Sequence, residues 1–191
     1  MYEVKGWETF SQLVDVDTQR ILRRECIDIR DNWQKYSSWQ GVSCASKYSY
    51  ELRKFYKSYL VSLARKLLEK PDIYYFNDQV VVKKPFDRMQ FVPHYDNYYG
   101  PNADGKIHTV NLLVCLDPIT SNTGGFWLQN QDDKKWVSIQ PKPGDVVAIN
   151  GNTYHRSGEN KGTGHRAMYA CVYTAEPINL KGFYNSPVVG T

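Results

Sequence analysis

From Pro71 onward the chain is a succession of short β-branched and aromatic runs separated by turn clusters. The runs cover residues 80–84, 89–96, 107–117, 124–129, 136–140, 145–150, 154–157 and 166–174. Between them lie Pro-Asn-Ala-Asp-Gly (101–105), Ser-Asn-Thr-Gly-Gly (121–125), Pro-Lys-Pro-Gly-Asp (141–145) and Glu-Asn-Lys-Gly-Thr-Gly (159–164), all rich in turn formers. Strands this short cannot bury a face alone, so they must close on one another as a sandwich or barrel. The expectation is an α+β chain, mainly β, built on an antiparallel jelly roll.

The first seventy residues read instead as helix. Asp17 is expected to cap a segment in which Ile21, Leu22, Cys26 and Ile29 recur at three- and four-residue steps. A second helix is expected over 50–70, where Leu52, Phe55, Tyr56, Tyr59, Leu60, Leu63, Leu67 and Leu68 form one apolar face. Pro71-Asp72 stops it. Such helices suit packing against one sheet. The expected organisation is a single domain over 1–191, with helical support over 1–72, a β core over 73–175 and a tail over 176–191. A chain of 191 residues is long enough to bury a substantial core.

Several functional classes fall away. The formal net charge of +4 is mild, and Lys and Arg are scattered, so no basic stripe suggests nucleic acid. No segment has the length of a membrane helix, and the start, Met-Tyr-Glu-Val-Lys, lacks the apolar core of a secretory signal. Cys26, Cys44, Cys115 and Cys171 lie far apart and form no CxxC pair, which suits free thiols in the cytoplasm.

The chemistry concentrates around His94-Tyr95-Asp96. Side chains alternate faces along a strand, so His94 and Asp96 share one face. His155, just after the apolar run Val146-Val147-Ala148-Ile149, is the best third ligand. Two histidines and one carboxylate on one side of a metal leave the other side open, a set that suits non-haem Fe(II). A bare His-x-Asp is weak evidence by itself.

Arg166 strengthens it. A hairpin centred between Asn160 and Lys161 would set Arg166 opposite His155, about 5 Å away on the same face. A buried guanidinium needs an anionic partner, and its planar fork matches a carboxylate. Ser157 shares the parity of His155 and can reach the same carboxylate.

These residues resemble a known family. His94-x-Asp96, then His155-x-Ser157-x-x-Asn160, then Arg166 resembles the Fe(II)/2-oxoglutarate dioxygenases of the phytanoyl-CoA hydroxylase type. Val82-Lys83-Lys84-Pro85 is similar to that family's strand ending in Lys-Pro. Residues 117–124 are similar to its turn ending in Asn-x-Gly, and Gly144-Asp145-Val146 to its Gly-Asp step. The resemblance spans 73–175 and implies a double-stranded β-helix of the cupin-like type. It implies His94, Asp96 and His155 as Fe(II) ligands and Arg166 and Ser157 as binders of 2-oxoglutarate. It also implies O₂-dependent hydroxylation of a C–H bond with release of succinate and CO₂. One departure stands out: Phe126-Trp127-Leu128-Gln129 follows the turn where the family usually has Pro-Gly-(Ser/Thr)-His, which argues against a long acyl-CoA substrate. Asp96 is retained, which argues against a halogenase.

Other pocket residues follow from parity. Gln90 and Val92 share the parity of His94 and are expected to face inward. Asn111 and Thr109 are expected at the cosubstrate end, and Tyr98, Tyr99, His108 and Trp127 near the mouth. The expected substrate is a small molecule or a peptidyl side chain. Two other readings stay open: a non-catalytic jelly-roll binding module, and a cupin-like metalloenzyme that does not use 2-oxoglutarate.

Overall fold

The computed structural model describes residues 2–33, 41–96, 107–180 and 183–184. The first part contains α1 (Tyr2–Lys5), β1 (Trp7–Phe10), α2 (Val16–Trp33), β2 (Gly41–Ser43), α3 (Tyr50–Ser58) and α4 (Val61–Leu68). Then come β3 (Tyr74–Lys83), β4 (Phe91–His94), β5 (Thr109–Cys115), β6 (Phe126–Gln129), β7 (Trp136–Ile139), β8 (Val146–Asn150), β9 (His155–Ser157) and β10 (Arg166–Thr174). β11 (Asn179–Leu180) and β12 (Phe183–Tyr184) close a small hairpin.

Two antiparallel sheets face each other. The larger runs β1-β8-β5-β10-β3-β2, and the smaller runs β4-β9-β6-β7. This is the expected double-stranded β-helix. The larger sheet is apolar on both faces because both are covered. Val110, Leu112 and Val114 of β5 and Ala167, Tyr169, Cys171 and Tyr173 of β10 pack against Leu22, Cys26, Leu52, Phe55 and Ala64 of the helices. The alternate residues Leu113, Cys115, Met168 and Ala170 face inward, where Phe126 and Leu128 of the smaller sheet meet them. Strand alternation thus builds two cores from one set of strands.

The N-terminal part is less purely helical than expected. Among the described residues it contributes the strands β1 and β2, which form the two edges of the larger sheet. They are only four and three residues long, too short to show a clear period in sequence. Asp15, not Asp17, caps α2: its carboxylate accepts from the Thr18 backbone N–H at 2.9 Å. The expected helix over 50–70 divides into α3 and α4, with Ser49 capping α3 through the Leu52 N–H.

The expected hairpin between His155 and Arg166 does not form. β9 pairs with β4 and β6, whereas β10 pairs with β3 and β5. Residues 158–165 therefore cross from one sheet to the other. Asn160, fully buried, holds that crossover: it donates to Lys84 O (2.8 Å) and Gly164 O (2.9 Å) and accepts from Gly162 N (3.1 Å). The partner opposite Arg166 is Lys83. The turn over 101–105 and the tail from Asn185 lie outside the described residues.

Candidate metal centre and anion pocket

His94 ends β4, and His155 begins β9 directly opposite it. Asp96 follows just beyond the strand. The ligand atoms of these three residues all lie within 4.8 Å of one another. Asp96 Oδ1 stands 3.7 Å from the Nε2 of each histidine. The ring orientations are fixed from behind. His94 Nδ1 lies 2.8 Å from Val92 O, and His155 Nδ1 lies 3.0 Å from Thr153 O. A carbonyl only accepts, so each Nδ1 carries the proton and each Nε2 turns a lone pair toward Asp96. Burial, and then the neighbouring His155, hold His94 below the ordinary histidine pKa and so keep it neutral. Three lone-pair donors converge with no hydrogen between them. Such a set fits a divalent cation, and two imidazoles with one carboxylate fit Fe(II).

The expected inward positions of Gln90 and Val92 are corrected. Phe91 pairs with Ser157 and His94 with His155, so β4 carries one residue more than β9 between those pairs. Pro93 lies within this bulge; it has no N–H for the ladder. Parity flips as a result. Val92 is 69% exposed, Gln90 bonds Glu159 at 3.2 Å, and Phe91 lines the cavity instead.

The cavity lined by the triad is also lined by Arg166, Ser157 and Asn111. Arg166 is buried, and among the described residues its one hydrogen bond is a long contact of 3.5 Å to Gly125 O. Its Nε has no hydrogen-bond partner among the described residues. Burial pushes its pKa down to about 10. Lys83, fully buried, donates from Nζ to Ser157 Oγ at 2.9 Å and to Gly158 O. Burial, then Arg166, push Lys83 down to about 7. Among the described residues neither cation has a carboxylate within 4.0 Å. A buried guanidinium in the cavity lining, with a buried lysine opposite it in register, is an arrangement that fits an anion.

Lys83 was not singled out from sequence. It shares parity with Val81 and Gln79, which face the cavity, and that was the available signal. The adjacent Lys84 instead pairs with Asp31 at 2.9 Å. Asn111, expected at the cosubstrate end, donates to Asp96 Oδ2 at 3.0 Å. Thr109 is buried in β5 outside the cavity lining. Trp127 stacks on Arg156 (5.1 Å), whose other neighbour is Trp136 (5.2 Å), on the outer face of the smaller sheet. His108 meets Asn150 at 3.0 Å. Tyr98 and Tyr99 lie outside the described residues.

The sequence profile of the phytanoyl-CoA dioxygenase (PhyH) family matches residues 30–168. No curated protein matches the chain in sequence. Solved structures match its fold. SnoN, a non-heme alpha ketoglutarate dependent epimerase from nogalamycin biosynthesis, aligns with TM-score 0.78 at 16% identity over 95% of this chain and 83% of its own. EctD from S. alaskensis, solved with 2-oxoglutarate and 5-hydroxyectoine, aligns with TM-score 0.78 at 16% identity over 95% of this chain and 78% of its own. AviO1 from Streptomyces viridochromogenes Tue57 aligns with TM-score 0.76 at 18% identity over 91% of each chain.

Proposed function

The chain belongs to the phytanoyl-CoA dioxygenase family and is a 2-oxoglutarate-dependent dioxygenase, and from that premise we propose that His94, Asp96 and His155 hold its Fe(II) while Arg166, Lys83 and Ser157 bind the far carboxylate of 2-oxoglutarate. The observation that carries this reading is the buried Arg166, its Nε unpartnered among the described residues, in the same cavity as the triad. A guanidinium so placed is costly until a carboxylate reaches it. The iron and its cosubstrate supply the oxidation; the protein positions and shields them.

Each side chain then has a physical task. The histidines present fixed Nε2 lone pairs, and Asp96 supplies one negative charge. Arg166 offers a planar fork, Lys83 a point charge, and Ser157 a hydroxyl already oriented by Lys83. Phe91, Leu113, Phe126 and Met168 line the cavity with apolar surface and keep water from the reacting atoms.

The substrate is a small molecule or a peptidyl side chain, hydroxylated at a C–H bond with release of succinate and CO₂. The missing Pro-Gly-(Ser/Thr)-His segment supports a substrate other than a long acyl-CoA. No helix of the described residues is long and apolar enough to cross a membrane. Cys26, Cys44, Cys115 and Cys171 are free thiols, which supports a reducing cytoplasm.

The test is succinate release from 2-oxoglutarate under Fe(II), ascorbate and O₂, screened over amino acids, small amines and peptides. Slow uncoupled release is expected even without substrate. His94→Ala and Asp96→Ala should abolish it with the fold intact, and protein that binds neither Fe(II) nor 2-oxoglutarate would refute the reading.

A further inference from the structure

Asp96 is the one member of the triad that stands outside a strand, since β4 ends at His94. Its position must be fixed from elsewhere. Asn111 does this from the larger sheet: Asn111 Nδ2 donates to Asp96 Oδ2 at 3.0 Å. The amide orientation is set by chemistry, because an ionised carboxylate only accepts and so must face the amide nitrogen. Asn111 lies inside β5, registered with Ile149 on one side and Val172 on the other. Its backbone is thus held along both edges, which makes it a rigid platform for a ligand on a looser segment.

The two oxygens of Asp96 are consequently unequal. Oδ1 is the atom equidistant, at 3.7 Å, from both imidazole Nε2 atoms. Oδ2 is committed to Asn111. A free carboxylate can chelate a cation through both oxygens and thereby occupy two positions. One oxygen tied up by an amide leaves one for the metal.

A second observation separates this role from simple packing. Asn111 Oδ1 is buried and has no hydrogen-bond partner among the described residues. The neighbours in register, Ile149 and Val172, are apolar, so an aliphatic residue would fit here and remove an unsatisfied acceptor. For packing alone, asparagine is a poor choice.

We infer that Asn111 is a positioning residue that fixes Asp96 as a one-oxygen metal ligand through Oδ1. The inference rests on reading His94, Asp96 and His155 as the metal centre. It keeps the open side of that centre free for cosubstrate and O₂.

The test uses Co(II), whose visible absorption reports coordination, added to metal-free wild type, Asn111→Leu and Asn111→Asp. Affinities come from competition with a chelator, and thermal unfolding is followed on the metal-free proteins. Asn111→Leu should lose roughly 10–100-fold in Co(II) affinity, the usual effect of removing a partner behind a ligand. Its Co(II) spectrum should change, while its metal-free melting temperature stays at or above that of wild type. Asn111→Asp keeps the shape but loses the donor, so its spectrum should change as well; it is the working variant if the leucine protein does not fold. Variants that match wild type in both affinity and spectrum would overturn the inference alone. Wild type that binds no Co(II) would overturn the metal centre itself.

Discussion

Arg166 and Lys83 stand directly opposite each other on β10 and β3, both buried, each without a carboxylate within 4.0 Å among the described residues. Such a pair persists if one cation sheds its proton or an anion arrives. Lys83 is held at about 7, against an ordinary lysine value of 10.5, so without a bound anion it loses its proton above neutral pH. Arg166 stays charged to about 10. Asp87 and Glu159 act on Lys83 more weakly in the opposite sense. A carboxylate bound between the cations raises the Lys83 pKa again. Binding above pH 7 therefore takes up a proton, and 2-oxoglutarate affinity falls as pH rises, by at most about tenfold per pH unit. Calorimetry on metal-loaded protein, in buffers of different ionisation enthalpy, should find close to one proton taken up at pH 8.5 and about a quarter of one at pH 6.5. Lys83→Arg should bind without the uptake; an uptake that survives this change assigns the proton elsewhere.

The same pair predicts a conflict between stability and binding. Both pKa values are depressed by folding, so the folded state is penalised wherever these groups are charged. That penalty is fully present below pH 7, and stability recovers as pH climbs from there toward the ordinary lysine value. Replacing a buried, poorly compensated charge by an apolar residue is often stabilising by about 1–4 kcal/mol. Arg166→Leu should accordingly melt higher than wild type in the metal-free state while losing 2-oxoglutarate binding. Circular dichroism and a ligand titration measure the two effects. A lower melting temperature would mean that the guanidinium is a structural group.

The backbone beneath Arg166 gives a third expectation. Gly124 has φ +99°, a conformation that favours glycine, and a Cβ there would approach Gly158 O to 2.6 Å. Gly158 N also donates to Gly124 O at 2.6 Å, so the two segments are in tight contact. Gly124→Ala must push residues 158–159 away, and with them Ser157 and the acceptors of Lys83. The expected loss is roughly 1–3 kcal/mol of stability, together with weaker 2-oxoglutarate binding. An unchanged cosubstrate affinity at reduced stability would separate the turn from the pocket.

The sequence pattern revealed the strands through local alternation and the triad through residue type and spacing. His94 and Asp96 converge although β4 ends at His94, and Asn111 meets Asp96 just beyond the strand. The long strands β5, β8 and β10 are buried over nearly their whole length and read clearly as apolar runs. Three features were hidden because they depend on which strand lies alongside. Local sequence cannot tell that β9 already has neighbours on both edges, so the short link over 158–165 looked like a hairpin. The same error credited Arg166 with the wrong neighbour, although the residue does face the metal ligands across the cavity. The bulge at Pro93 reversed the parity of Val92, and only the register with Ser157 exposes it. Lys83 was obscured by its neighbour Lys84, since two adjacent lysines point to opposite faces and the sheet decides which one is buried.

Asn160 provides the last expectation, because it ties the crossover to the strand that carries Lys83. Its amide nitrogen serves Lys84 O and Gly164 O, and its Oδ1 accepts the Gly162 N–H, all in a fully buried position. Asn160→Ala leaves these backbone groups without partners in a site too crowded for easy rehydration. Unsatisfied buried groups cost roughly 1–3 kcal/mol each in the absence of relaxation. The crossover should loosen first, because β9 and β10 retain their own sheet neighbours. Amide hydrogen exchange should therefore show faster exchange over 158–165 than over β5 or β8, and 2-oxoglutarate affinity should drop through the altered Ser157 and Lys83 contacts. Iron binding at His94, Asp96 and His155, which does not run through the crossover, should survive. If metal and cosubstrate affinities fall together while exchange rises everywhere, Asn160 supports the fold as a whole and not this connection.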